Sequence, residues 1–393
     1  MEKSSSPHIL MLPSWYPSPY NPLRGSFFRL QAQALHKAGC NIGVIYPEVA
    51  TLRNLRPSRM REYRFQYEFK LDEGVPTLKY FGWYLYAGLP LHEKYWEGTA
   101  VKLYRRYVKE RGKPDLVFAQ GTLWGGIAAR SINKATGCPY VIMEHSSAFL
   151  KGNVSEKSHG LAVAALTDAK EVMCVSNALA EAVIKGGYIE DRRPEVVPNM
   201  VDTDFFIRPP QSRKYEPFVF VAVGALIESK GVDILLRAYA HTFKGQDDVR
   251  LVVVGDGPQR GALEALSQEL GIAAQVEWHG NLDREGLLKA LWQASAFVHP
   301  SFVETFGIVL IEAMATGLPL VVTDCGGPAG IIGESTGIMV TPKDVDALAA
   351  AMKTMRDKAS KYDPATIREE VVHRYSEEVV TNQIMQIFAS ALA

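Results

Sequence analysis

Ala296-Phe297-Val298-His299-Pro300-Ser301-Phe302-Val303-Glu304-Thr305-Phe306-Gly307-Ile308-Val309-Leu310-Ile311-Glu312-Ala313 passes from a short apolar run, through a loop, into a second apolar run. Residues 296–299 read as a buried strand and 307–316 as the helix that follows, so the stretch is one strand-loop-helix unit. Two acids lie on it with seven residues between them. Glu304 falls in the loop, and Glu312 falls on the helix about one and a half turns in. Such a loop stands at the carboxyl end of its strand, where parallel α/β sheets bind their ligands.

The same unit repeats along most of the chain. Aliphatic runs at 8–12, 42–46, 115–120, 139–144 and 171–176 alternate with amphipathic helical stretches. A second series follows at 218–224, 249–255, 275–279, 296–299 and 318–323. This alternation is the pattern of parallel sheets covered by helices. Between the series lies a polar stretch punctuated by proline, 198–214, which reads as a connector. A chain of 393 residues also exceeds one ordinary core and suits two domains. The expected fold class is α/β, two doubly wound Rossmann-like domains facing each other across a cleft. They would span 1–205 and 206–373, with 374–393 a terminal helix packing back toward the first.

Composition narrows the function. Apolar residues make up 47% and charged residues 22%, the proportions of a globular protein in water. Formal net charge is zero, which argues against a nucleic-acid partner, since a basic footprint would show in the total. No run approaches the apolar length that spans a bilayer, and the first seven residues lack the apolar core of a signal peptide. Cys40, Cys138, Cys174 and Cys325 are scattered without metal-ligand spacing, so reduced thiols in a cytoplasmic protein are expected.

Residues 51–113 break the alternation. They hold 14 Lys or Arg against 7 Asp or Glu, a local +7 that the rest of the chain offsets. Tyr63, Phe65, Tyr67 and Phe69 alternate with polar residues, so a strand would place four aromatics on one face. That face would pack an insertion onto the first domain. At the same time, Arg53, Arg56, Arg59, Arg61 and Arg64 with these aromatics suit a phosphorylated acceptor or an anionic membrane surface, the latter through residues 53–64 at the inner face of the membrane.

Candidate site residues cluster at the expected strand ends. Lys230 follows the strand that ends at Gly224 and precedes a helix, a position from which a compact cation and nearby helix amides hold a diphosphate. Glu304 and Glu312 are acceptors for the paired hydroxyls of a sugar and a ribose. The amides of Phe306, Gly307, Ile308 and Val309 open a helix and form a second anion site. In the first domain, Gly25 with Ser26 forms an N-cap over which a phosphate can lie, and His145 ends a strand where it can bond a sugar hydroxyl. Each residue has a plain structural alternative: a solvated lysine, a surface acid, a satisfied histidine. Two motifs are rejected. Asp202-Thr203-Asp204 imitates a metal-binding DxD but lies in the connector, and Gly255-Asp256-Gly257-Pro258-Gln259-Arg260-Gly261 misplaces the third glycine of a dinucleotide fingerprint.

Taken together these residues resemble glycosyltransferase family four, retaining enzymes of the GT-B fold. The resemblance rests on Gly25, Glu144-His145-Ser146, Pro198-Asn199, Gly224 with Lys230-Gly231, and Val254-Gly255-Asp256-Gly257-Pro258. Its most specific block is Pro300-Ser301 through Glu304 and Glu312 to Gly317-Leu318-Pro319. It implies transfer of a hexose-type sugar from a nucleotide-diphosphate sugar, with a UDP-sugar the first expectation, to a glycan, lipid-linked or small-molecule acceptor. It implies no cofactor and no metal. Lys230 would neutralise the diphosphate, Glu304 hold the donor sugar, Glu312 the ribose, Gly25 touch the diphosphate and His145 the transferred sugar. Two positions depart from the pattern: Ala225 stands where many relatives carry an arginine, and Gly330 where they commonly carry an acid. The first departure motivates the alternative of a sugar-nucleotide-binding partner protein with weak or no catalysis.

Overall fold

Strands buried on both faces read as continuous apolar runs, and strand 218–223, Phe-Val-Phe-Val-Ala-Val, is typical of this chain. The computed structural model describes residues 6–22, 24–51, 60–61, 63–84, 91–211 and 216–393. It divides into two units, Met1–Val175 with Leu179–Val197 and Thr381–Ala393, and Ser176–Ala178 with Pro198–Val380. Connector residues 198–204 thus group with the second unit.

Among the described residues the first unit has eight strands: β1 (His8–Pro13), β2 (Asn41–Thr51), β3 (Gln66–Asp72), β4 (Val75–Tyr84), β5 (Leu116–Gln120), β6 (Tyr140–Glu144), β7 (Val172–Cys174) and β8 (Glu195–Val196). Their order is β3-β4-β2-β1-β5-β6-β7-β8, and only β3 and β4 pair antiparallel. Ile9 to Leu12 are fully buried at its centre. The strand order turns back at β1, which lies parallel to β2 on one side and to β5 on the other and whose loop leads into the helix Ser26–Lys37.

The insertion does not pack as its alternation suggests. Glu73 and Gly74 both take positive φ, 50° and 88°, the two-residue turn that matches strand twist and folds β3 back on β4. Strand β4 is buried along its whole length beside β2, with Lys79 donating to the Pro17 carbonyl at 2.7 Å. Phe65, however, adopts φ 57°, which interrupts the alternation before β3 begins. Tyr63 turns inward against Phe81 and Trp83, while Phe65, Tyr67, Phe69 and Leu71 are 48%, 39%, 42% and 63% exposed. The aromatic face therefore points to solvent on an edge strand, and the expectation that it packs the insertion onto the domain is corrected.

Among the described residues the second unit has six parallel strands: β9 (Phe218–Val223), β10 (Val249–Val254), β11 (Val276–Gly280), β12 (Ala296–His299), β13 (Leu320–Thr323) and β14 (Gly337–Val340). Their order, β11-β10-β9-β12-β13-β14, reverses direction between β9 and β12. The helix Val232–Phe243 buries Leu235, Leu236, Tyr239 and Phe243 on this sheet, and the Tyr239 hydroxyl donates to the Val249 carbonyl. Asp283, Asp344 and Asp363 each accept a backbone N–H at a helix start, so these helices begin where a short acid stands.

All four cysteines are free and buried. Among the described residues no helix is long and apolar enough to cross a membrane. The last helix, Glu377–Leu392, keeps its first turn in the second unit and the remainder in the first. There Phe388 meets Phe118 edge-on, ring centroids 4.9 Å apart. Phe388→Ala should cost the first unit about 3 kcal/mol, read as faster amide exchange along Leu116–Gln120 while β9 and β12 exchange as before.

Candidate active site

Two loops of the second unit are stitched together by backbone. After β9 the chain makes a 3-10 turn, Glu228–Lys230, and Gly231 at φ 62° hands it into the helix. A Cβ on Gly231 would lie 2.2 Å from the Pro300 carbonyl oxygen, so only glycine lets the loop after β9 approach the loop after β12. The Phe302 N–H donates to the Ser229 carbonyl at 2.8 Å. Farther along, the Glu304 N–H donates to Cys325 and the Gly327 N–H to the Glu304 carbonyl, at 3.0 and 2.8 Å. Both ends of the acid's backbone are thereby fixed against the strand-end loop of β13.

The side chains follow. Lys230 Nζ lies 2.5 Å from Glu304 Oε2, with side-chain exposures of 25% and 15%. The Thr305 N–H donates to Oε1 at 3.1 Å. His299, the last residue of β12 and 2% exposed, places Nε2 at 3.5 Å from the same Oε2. Burial alone would raise the Glu304 carboxyl, yet His299 and Lys230 outweigh it and hold the acid well below the usual carboxylate range. Burial lowers the imidazole of His299, so its neutral form is favoured. A pocket at these strand ends is lined by Gly224, Leu226, Lys230, His299, Pro300 and Ser301. A Cβ on Gly224 would meet nothing nearer than the Lys230 stem at 3.9 Å, so the backbone there is open to close approach.

Gly307 starts the next helix, Ile308–Ala315, from φ 96°. The first amides of that helix, Ile308 and Val309 among them, have no carbonyl within the helix to bond. Phe306 is buried with its ring edge-on to Tyr375. Glu312 is half-buried, and burial pushes its carboxyl up to about 7 against the opposing influence of Arg284.

In the first unit, Gly25 takes φ 72° at the head of Ser26–Lys37, where a Cβ would lie 2.6 Å from the Trp15 carbonyl oxygen. Among the described residues no side chain caps this helix, so the expected cap is one of backbone geometry there. His145 is buried against Phe27 and Phe28, with Nε2 at 2.7 Å from Gln120 Oε1. The fully buried Glu144 carboxylate accepts N–H bonds from Thr122, His145 and Ser146 at 2.6, 2.8 and 2.6 Å. Burial raises this acid, and the three amides pull the other way. It pins the loop that carries His145 to the loop that follows β5.

The rejected motifs have structural employment. Asp202 Oδ1 accepts from the amides of Asp204 and Phe205, and Oδ2 pairs with Arg284 at 3.1 Å. A Cβ on Gly255 would lie 1.9 Å from the Gly224 carbonyl oxygen, and one on Gly257 would lie 2.5 Å from that of Leu226. Those glycines let the β9 and β10 loops touch. Gly330 accepts at its carbonyl from Arg374 and the Tyr375 hydroxyl. Sequence reasoning assigned no role to His299, Glu144 or Gln120. The available signal was one shared by all three: a polar residue closing an otherwise apolar strand.

Comparison with known proteins bears on the family and the fold. The family model of glycosyltransferase family 4 matches residues 25–205, and that of glycosyl transferases group 1 matches 204–366. TuaC of Bacillus subtilis, which carries the name of a teichuronic acid biosynthesis glycosyltransferase, is 29% identical over 361 residues, 88% of each chain. The gpi3 subunit of phosphatidylinositol N-acetylglucosaminyltransferase from Schizosaccharomyces pombe is 25% identical over 57% of this chain, which spans 50% of the relative. Sucrose-phosphate synthase from Thermosynechococcus elongatus superimposes with a TM-score of 0.77 at 22% identity, covering 97% of this chain and 98% of its own. Anabaena HepE, in complex with UDP, superimposes at 0.73 and 18%, covering 98% and 100%. With both family models matched in succession and the two sheets of a GT-B protein in place, the chain belongs to glycosyltransferase family four.

Proposed function

We propose that this chain transfers a hexose-type sugar from a nucleotide-diphosphate sugar, a UDP-sugar first, to a glycan, lipid-linked or small-molecule acceptor, with retention at the anomeric carbon and without a metal. The observation that carries the reading is the Lys230–Glu304 pair at the switch point between β9 and β12. HepE complexes with UDP and UDP-glucose support the donor class, and the names of TuaC and the phosphatidylinositol enzyme support a glycan or lipid acceptor.

Breaking the anomeric bond leaves negative charge on the departing phosphate, and fixed donors at that spot lower the barrier. Lys230 supplies a cation there, and the opening amides of the helix Ile308–Ala315 supply oriented dipoles. Ala225 offers no second cation on the β9 loop, so Lys230 and those amides bear more of the charge. Glu304 takes the donor sugar's hydroxyls and Glu312 the ribose. The proposal gives Gly25 the diphosphate and His145 the transferred sugar. On the leaving side, the phosphate itself accepts the acceptor's proton.

Residues 53–59 and 62 of the expected membrane contact lie outside the described residues. Arg61 and Arg64 are exposed beside the open stripe of Phe65, Tyr67, Phe69 and Leu71. Arg106 stacks over Tyr67 at 4.3 Å, and Lys102, Arg105, Lys109 and Arg111 are exposed along the same helix, His92–Arg111. Aromatic rings rimmed by cations complement one occupant, an anionic lipid surface, and we propose that this edge rests there.

Three outcomes are expected. Lys230→Ala and Glu304→Ala should each reduce transfer by at least about a hundredfold, after a thermal-shift screen of UDP-, GDP- and ADP-sugars has named the donor. Full activity of the Lys230 variant would remove the clamp, whereas stable nucleotide binding with no turnover in the wild type would favour a non-catalytic binding partner. Because ribose hydroxyls bond an ionised carboxylate more strongly, diphosphate affinity should rise between pH 6 and 8 as Glu312 loses its proton near 7. Glu312→Gln should flatten that rise in calorimetric titrations. Finally, Phe69→Ser with Leu71→Ser should abolish salt-sensitive co-sedimentation with phosphatidylglycerol vesicles; equal pelleting of variant and wild type would refute the lipid contact.

A further inference from the structure

Two donors converge on one oxygen. Lys230 Nζ and His299 Nε2 both approach Oε2 of Glu304, at 2.5 and 3.5 Å, while Oε1 is held by the Thr305 amide. At 3.5 Å the imidazole falls short of a hydrogen bond. Its Nε2 is buried, and among the described residues no hydrogen-bond partner serves it. Burying a polar nitrogen without a partner costs free energy, so such a group is rare unless another state of the site employs it.

That other state follows from the lysine's double duty. In the structure the ammonium is committed to Glu304, yet the proposed reaction asks the same ammonium to face a diphosphate. A buried carboxylate deprived of its cation is costly and loses its orientation. His299 is fixed at the end of β12, in the wall of the same pocket, and among the described residues its Nε2 has no competing bond to break. We propose that His299 is a positioning residue that takes over Oε2 of Glu304 when the donor's diphosphate draws Lys230 away, so that the carboxylate keeps facing the transferred sugar. The inference rests on the glycosyl-transfer reading above. No bond to carbon or phosphorus changes in the step: Lys230 gives up one hydrogen bond to Oε2, and the Nε2–H of His299 donates its own.

The consequence separates sugar recognition from nucleotide recognition. Phenylalanine at 299 keeps the ring and removes the donor, whereas glutamine sets an amide N–H near the position of Nε2. The test compares wild type, His299→Phe and His299→Gln, using whichever of UDP-, GDP- or ADP-glucose stabilises the wild type most, with the matching diphosphate. His299→Phe is expected to bind the diphosphate within about threefold of wild type while losing about ten- to a hundredfold in kcat/KM for the sugar nucleotide, the range of one hydrogen bond to a charged group. His299→Gln is expected to recover most of that loss. Wild-type kcat/KM in His299→Phe would overturn the proposal. So would equal impairment of both variants accompanied by a lowered Tm, which would mark His299 as merely structural. Full activity of Lys230→Ala would instead strike the underlying reading, independently of the histidine result.

Discussion

An ammonium and a carboxylate 2.5 Å apart in a partly dry pocket hold that distance only if something prevents their loops from drifting. Here the restraint is backbone. Gly231 gives up its side chain so that the β9 loop can lie against Pro300, and the Phe302 amide closes the contact on Ser229. A salt bridge in water contributes little, and burying one costs desolvation. The pair therefore does not explain why the fold is stable. The fold's stability explains why the pair exists, since the apolar sheet beneath it sets the loops in register before any charge is neutralised.

The first unit uses the same principle with different atoms. Glu144 spends its carboxylate on three backbone amides, which ties the loop after β6 to the loop after β5. His145 is then held by Gln120, whose own amide bonds Gln31. In both units a side chain at a strand end is exact in position because a neighbouring loop accepts or donates through main chain. This is how a sheet with interchangeable apolar residues can present a few polar groups without local flexibility.

Much of this was legible in the sequence because parallel sheets declare themselves. A strand covered on both faces must be apolar throughout, so β9, β10 and β12 stand out as runs, and the loops after them carry Lys230 and Glu304. Less legible was whatever depends on which face meets what. The alternation of Tyr63 to Phe69 correctly announced extended chain, but the positive φ of Phe65 separates Tyr63 from the residues after it, and edge position leaves the rest in water. Strand β14, Gly337–Val340, is only half-buried and opens with glycine, so its pattern is weak. His299 was hidden for a different reason. Nothing in a one-dimensional string shows that an imidazole five residues before an acid reaches the same oxygen as a lysine seventy-four residues before it.

The four free cysteines offer a practical consequence. Thiolate is the reactive form, and burial drives Cys40 and Cys325 up to about 11 and raises Cys138 and Cys174 as well. The native thiols are thus expected to react slowly with mild alkylating reagents. A single cysteine placed on the exposed edge of β3 would be a lone handle for a fluorophore or spin label, with no need to strip the natural thiols from the core first.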